Sequence, residues 1–175
     1  MDRIINEYKD LNKNPIQNCG VTIGLKNIND YRCWKVSLLG PKDTSYNGGL
    51  FFLNIEFPEL YPLKPPEVYF ITPIYHANIN SKAPRASGDF PLGQVNLSTL
   101  SYWNPKYIMR EVIINTFALL YNPNPLNPYD VDISEELEYN RAVYEEKIKH
   151  FTKKYANPLG ANREYSRTED WDFSI

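Results

Sequence analysis

GPKDTSYNGGLFFLNIEFPELYPLKPPEVYF, residues 40–70, is the stretch whose reading decides the fold. Gly40-Pro41-Lys42-Asp43 and Asn47-Gly48-Gly49 are turn signals on either side of a short gap, and Leu50-Phe51-Phe52-Leu53 runs from them into Ile55 and Phe57. Pro65-Pro66 then introduces Val68, Phe70 and Ile71. Short apolar runs separated by turn residues predict strands joined by tight connections. Upstream, Val21, Ile23 and Leu25 alternate, as do Trp34, Val36 and Leu38, so four strands form an antiparallel meander. A helix precedes them over 2–13, where Ile4, Tyr8 and Leu11 share one face and Asn14-Pro15 supplies the stop.

Downstream of the strands, residues 72–107 show no period and read as one long loop, of the kind that is functional or partly disordered. IMREVIINTFALLY, 108–121, is apolar on nearly every side and reads as a central helix. YNPNPLNP is a stiff connector. Two helical pieces follow over 133–156, with Ala142, Tyr144, Ile148, Phe151 and Tyr155 at helical spacing. Strands and helices segregated along the chain mean an α+β fold. The expected division is a domain over 1–156 and a polar tail over 157–175 that carries Trp171 and Phe173.

Composition narrows the function. A net charge of −2 argues against nucleic-acid binding, which calls for a basic stripe. Cys19 and Cys33 form no C-x-x-C pair and lie far in sequence from His76 and His150, so no metal or other cofactor is expected. Two free thiols suit a reducing compartment. No run of roughly 18 apolar residues is present for a membrane span, and MDRIINEYKDL has no apolar signal core. Cytoplasm or nucleus is the expected location, and association with an organelle in a larger complex is compatible with it. The 14 prolines gather mainly in 58–74 and 105–128, where they set turns. The 14 tyrosines point to contact with other proteins.

Five strings, in order, resemble the ubiquitin-conjugating-enzyme (E2) family and its UBC fold. DRIINEYKDLNKNP at 2–15 is similar to the family's first helix. The 40–70 string matches G-P-x-x-(S/T)-x-Y-x-G-G…F-P-x-x-Y-P-x-x-P-P-x-V-x-F almost throughout. IYHANI at 74–79 resembles the H-P-N tripeptide. Leu119-Leu120 with Pro123-Asn124-Pro125 and Pro128 resembles the L-L-x-x-P-N-P-x-x-P connector, and 140–156 resembles the last helix. The resemblance implies a thioester mechanism. A cysteine thiolate accepts ubiquitin or a relative, an asparagine stabilises the oxyanion, and an acidic residue helps deprotonate the acceptor lysine.

The family's G-x-(I/V)-C-L string is here Gly93-Gln94-Val95-Asn96-Leu97, so Asn96 stands at the cysteine position. An amide nitrogen is delocalised and forms no thioester. The acidic positions of the family are Ser98 and Asn127, and Ala77 replaces the proline between His76 and Asn78. That surviving pair is read as structural, tying the loop to backbone groups. His76 and Asn96 stand twenty residues apart, the excess being the insertion 81–92, expected across the mouth of the site. The interval from Asn96 to Trp103 is one residue short. No catalytic residue is therefore assigned.

The resemblance places partner contacts on Arg3, Asn6 and Lys9 of the first helix, with Asp2 and Asp10 beside them. It also places them on Leu63 and on Asn104, Pro105 and Lys106, while Trp171 and Phe173 are expected as docking residues of the tail. The expected function is a non-catalytic interaction module or scaffold whose partners are an active E2, a ligase or ubiquitin. The alternatives are an accessory subunit of a larger assembly, or a working enzyme with Asn96 introduced by mutation.

Overall fold

Trp34, Val36 and Leu38 are sealed from solvent along Cys33–Leu39 (β2), while the alternate residues Lys35 and Leu39 face out. That period of two makes one face of a sheet the floor of the core. The computed structural model describes residues 2–17, 19–83, 90–160, 171 and 173. Val21–Leu25 (β1), β2, Leu50–Glu56 (β3) and Glu67–Phe70 (β4) pair antiparallel in the order β1-β2-β3-β4. The register sets Trp34 opposite Ile55, Val36 opposite Leu53, and Leu38 opposite Phe51. It also sets Leu53 opposite Phe70 and Ile55 opposite Val68. All eight side chains are buried.

Asp2–Lys13 (α1) lays Ile4 and Leu11 into this core. The Tyr8 ring meets Trp34 edge-on at 5.5 Å. Glu7 joins α1 to the start of Met109–Leu119 (α3), accepting the Met109 N–H at 2.6 Å and the Tyr61 hydroxyl at 2.9 Å. Asp130 caps Val131–Tyr139 (α4) by accepting from the Ile133 N–H. Arg141–Tyr155 (α5) then buries Tyr144, Ile148 and Phe151. Four strands in sequence between one helix and the later helices make the fold α+β, as expected.

The segment after β4 differs from the expectation of one irregular loop over 72–107. It contains the short helix Ser98–Ser101 (α2). Ile74, His76, Asn78 and Ile79 are buried. The reason is a fifth, strand-like rung. Gly93 O accepts from Phe70 N at 2.8 Å and Val95 N donates to Val68 O at 3.0 Å. Bridges join Tyr69 to Gln94 and Ile79 to Val95. Asn80 closes the insertion at its base, its Nδ2 donating to Lys82 O at 2.9 Å and Phe90 O at 3.0 Å. The insertion is thus pinched off on a stem. Of the insertion, 81–83 and 90–92 are placed, with Phe90 lining the groove beside Asn96, and 84–89 lie outside the described residues.

Three further expectations are corrected. Ala142 is exposed, because the buried stripe of α5 runs through Tyr144, Ile148 and Phe151. The helix over 108–121 is buried along one side only, with Glu111, Ile114 and Ala118 exposed. The tail residues Trp171 and Phe173, expected as docking residues for a partner, pack on this domain's own core.

Gly93 sits at φ +80°, and a Cβ there would lie 2.0 Å from the Phe70 carbonyl oxygen. Both the left-handed backbone and the clash are with main chain, which has no room to yield. Gly93→Ala is expected to lower stability by about 2 kcal/mol or more. Urea unfolding checks this as a fall in midpoint with an unchanged slope.

Candidate functional site

Residues 76–78 form the inner wall of the candidate site. His76 is fully buried. Its Nδ1 accepts from the Asn78 N–H at 3.0 Å, so the proton of the neutral ring sits on Nε2 and is donated to Leu119 O at 3.0 Å. That carbonyl ends α3 and has no partner within the helix. Burial pushes the His76 pKa down to about 4, and the opposing pull of the Leu119 carbonyl is the smaller effect. Neither ring nitrogen is free to take a proton from a substrate.

Asn78 is equally committed. Its Nδ2 donates to Asn124 O at 2.7 Å and Asn127 O at 3.0 Å, and its Oδ1 accepts from Asn124 N at 2.8 Å. An oxyanion donor must instead be aimed at the place where charge develops. Both Nδ2 protons here are spent on the connector 123–128, which they hold against the inner wall.

Asn96 completes the arrangement. Its backbone N–H donates to Asn78 O at 2.9 Å. Its Nδ2 donates to Asn127 O at 2.8 Å, and Asn127 Nδ2 reaches back to Asn96 Oδ1 at 3.4 Å. The carbonyl of Asn127 therefore receives two side-chain amides, from Asn78 and from Asn96. A cysteine at 96 would donate only weakly to that oxygen, because a thiol is a poor donor. Ser98 lies exposed at the start of α2 and carries no charge. Asn127 itself is exposed.

A groove of about 780 Å³ opens beside Asn96, walled by Pro65, Pro66, Val68, Phe90, Asn127 and Tyr129. Phe90 meets Tyr129 edge-on at 5.2 Å, and the Tyr129 hydroxyl donates to Gln94 Oε1 at 3.2 Å. The two cysteines are half-buried, and burial raises the pKa of each thiol. That is the reverse of the depressed pKa an activated nucleophile needs.

The residues expected to meet partners fall into two groups. Leu63 is 73% exposed, and Asn104 and Pro105 are exposed on the neighbouring loop. Trp103 Nε1 donates to Pro62 O at 2.7 Å, which brings the two loops together. Asn6 and Lys9 are exposed on α1. Arg3 is instead engaged within the molecule, its guanidinium paired with Glu7 and donating to Tyr107 O at 2.8 Å. Asp10 is likewise paired with Arg110 at 3.0 Å. Trp171 and Phe173 do not join this surface.

Three features were missed in the sequence: the Asn127 carbonyl as a shared acceptor, the Asn80 clasp and the Phe90–Tyr129 wall. The signal for the first was the recurrence of asparagine at 78, 96, 124 and 127, a residue type that bonds backbone groups readily. Among families of known proteins, the one described as Ubiquitin-conjugating enzyme matches residues 3–152.

His76 gives the site a pH signature. Its folded pKa lies below the usual value of 6.5, so the unfolded chain binds the proton more readily. Stability therefore falls as pH drops from about 6.5 towards 4, by up to roughly 3 kcal/mol. Urea unfolding across that range checks the slope, and His76→Gln is expected to reduce it.

Proposed function

The chain belongs to the ubiquitin-conjugating-enzyme family, and from that premise we propose that it acts as a non-catalytic, E2-like interaction module or scaffold. The observation that carries this reading is Asn96. It stands where the family places its cysteine, and its amide is committed to the Asn127 carbonyl at 2.8 Å. Transfer of ubiquitin needs a thiolate, a free oxyanion donor and a group that deprotonates the incoming amine. Asn96 lacks the first chemistry, Asn78 is occupied by the connector, and Ser98 and Asn127 carry no charge.

The family works through protein partners, and no helix among the described residues is long and apolar enough to cross a membrane. Leu63, Asn104 and Pro105, with Asn6 and Lys9 of α1, form the surface we assign to a partner. A leucine this exposed beside a proline-bearing loop suits an apolar pocket on a ligase-like protein. Arg3 contributes there by holding the Tyr107 loop in place. The domain corresponds to 1–156, and a cytoplasmic or nuclear location suits such partners.

Incubation with activating enzyme, ATP and ubiquitin tests the reading directly. The expected result is no reductant-sensitive adduct. An adduct on the wild-type chain would overturn it. Asn96→Cys is run alongside: efficient charging of that variant alone would favour an enzyme whose nucleophile alone had been exchanged. Affinity purification from the native source separates the remaining roles. A ubiquitin-pathway partner supports the module, and a stoichiometric large complex supports an accessory subunit. For the partner surface, Leu63→Glu is expected to weaken binding of the recovered partner at least roughly tenfold, since a buried interface anchor is worth over 1.4 kcal/mol. Its urea midpoint should stay unchanged.

A further inference from the structure

Trp171 and Phe173 lie beyond the family match, which ends at residue 152, and Phe173 sits in an aromatic seat. The Phe173 ring meets Tyr75 edge-on at 5.1 Å and Phe151 at 4.9 Å. Trp171 is 8% exposed and stands 6.2 Å from Phe173. Tyr75 and Phe151 are themselves stacked at 5.5 Å, one from the segment before His76 and one from α5. Behind them the Tyr75 hydroxyl donates to Glu136 of α4 at 2.8 Å. Phe173 thus covers a wall built from three separate parts of the chain, with Trp171 buried beside it.

The backbone makes the seat specific. Trp171 N donates to Ser81 O at 2.9 Å. Ser81 is the first residue of the insertion, and its hydroxyl donates to Asp130 Oδ2 at 3.1 Å. Asp130 Oδ1 caps α4 through Ile133 N at 3.3 Å. The neighbouring Tyr129 N donates to Ala77 O at 2.8 Å, and the Tyr129 ring walls the groove beside Asn96. An unbroken set of contacts leads from the tail to the rim of the groove.

We propose that Trp171 and Phe173 form a C-terminal aromatic clip, bound in cis, that pins Ser81 and Asp130 and so holds the Tyr129 side of the groove closed in its present shape. The clip is an element separate from the family's domain and can act on the groove whatever binds there. The inference rests on contacts alone and stands whether or not Asn96 is catalytically inert. Aromatic burial supplies the affinity, and the Trp171 N–H to Ser81 O bond sets the register. The clip bonds Ser81 through its main chain, and the Ser81 hydroxyl bonds Asp130 in turn, so the second link can be cut while the first is left in place.

The test uses the full chain labelled with 5-fluorotryptophan, the Trp171 resonance being assigned by its loss in Trp171→Phe. In the wild type that resonance should be shielded from solvent, and in Phe173→Ala it should become accessible. Hydrogen exchange over 124–133 should then accelerate roughly tenfold, the factor for loss of about one hydrogen bond's worth of stabilisation. Ser81→Ala should leave Trp171 shielded, because its partner is the main-chain carbonyl, yet speed the same exchange. A solvent-accessible Trp171 in the wild type would overturn the clip. Unchanged exchange over 124–133 in both variants would overturn its hold on the groove. Shielding of Trp171 that rises with protein concentration would place the tail on a second copy and overturn binding in cis.

Discussion

The structure depends on how the segment 74–79 is held between sheet and helices. This stretch is buried, yet it carries a full set of backbone donors and acceptors that water does not reach. A buried polar group left unpaired costs about 1–3 kcal/mol. His76 and Asn78 are the solution. The imidazole spans from the Asn78 N–H to the Leu119 carbonyl at the end of α3, and the Asn78 amide spans to the carbonyls of Asn124 and Asn127. Ala77 O serves the Tyr129 N–H. Remove these links and the connector 123–128 has nothing to lie against, α4 loses its approach, and the wall beside Asn96 has no fixed position.

That requirement changes how the candidate site reads. His76 and Asn78 look catalytic as a pair of residue types, but their atoms are occupied by structure. Asn96 extends the same pattern outward, adding a second amide to the Asn127 carbonyl. In the proposed non-catalytic role, the residue at the nucleophile's position has become part of the clamp that closes the connector. The groove of about 780 Å³ beside it remains as a shaped surface. Its rim is set by Phe90 from the insertion and by Tyr129, which the clip reaches through Asp130.

Much of the fold was legible in the order of the chain. The period-two runs at 34–38 and 50–57 and the turns at 40–43 and 47–49 locate the sheet, because alternation follows from strand geometry alone. The helical spacing of Ile4, Tyr8 and Leu11, and of Tyr144, Ile148 and Phe151, locates two of its helices. Ala142 and Ile114 were misplaced because an apolar residue near the edge of a stripe carries no mark of whether a neighbour covers it. The rung at 93–95 was invisible, since bridges to Tyr69 and Ile79 join residues with no periodic pattern of their own.

For the site, sequence alone determined which atoms are present: an amide at 96, uncharged side chains at 98 and 127, an insertion after Asn80 and two aromatics near the end. That no thiol stands at 96 is decided at that level, whereas the reactivity of Cys19 and Cys33 depends on how far the fold buries them. Tertiary structure decided where each hydrogen bond goes. It turned His76 and Asn78 into clamps, closed the insertion on the Asn80 side chain, and seated Phe173 on Tyr75 and Phe151 with Trp171 beside it, where two aromatics in a polar tail suggested docking on a partner. The reason is that hydrogen-bond partners and ring contacts are chosen by distance in space. Residues 76 and 119, or 81 and 171, become neighbours only once the sheet and helices have packed.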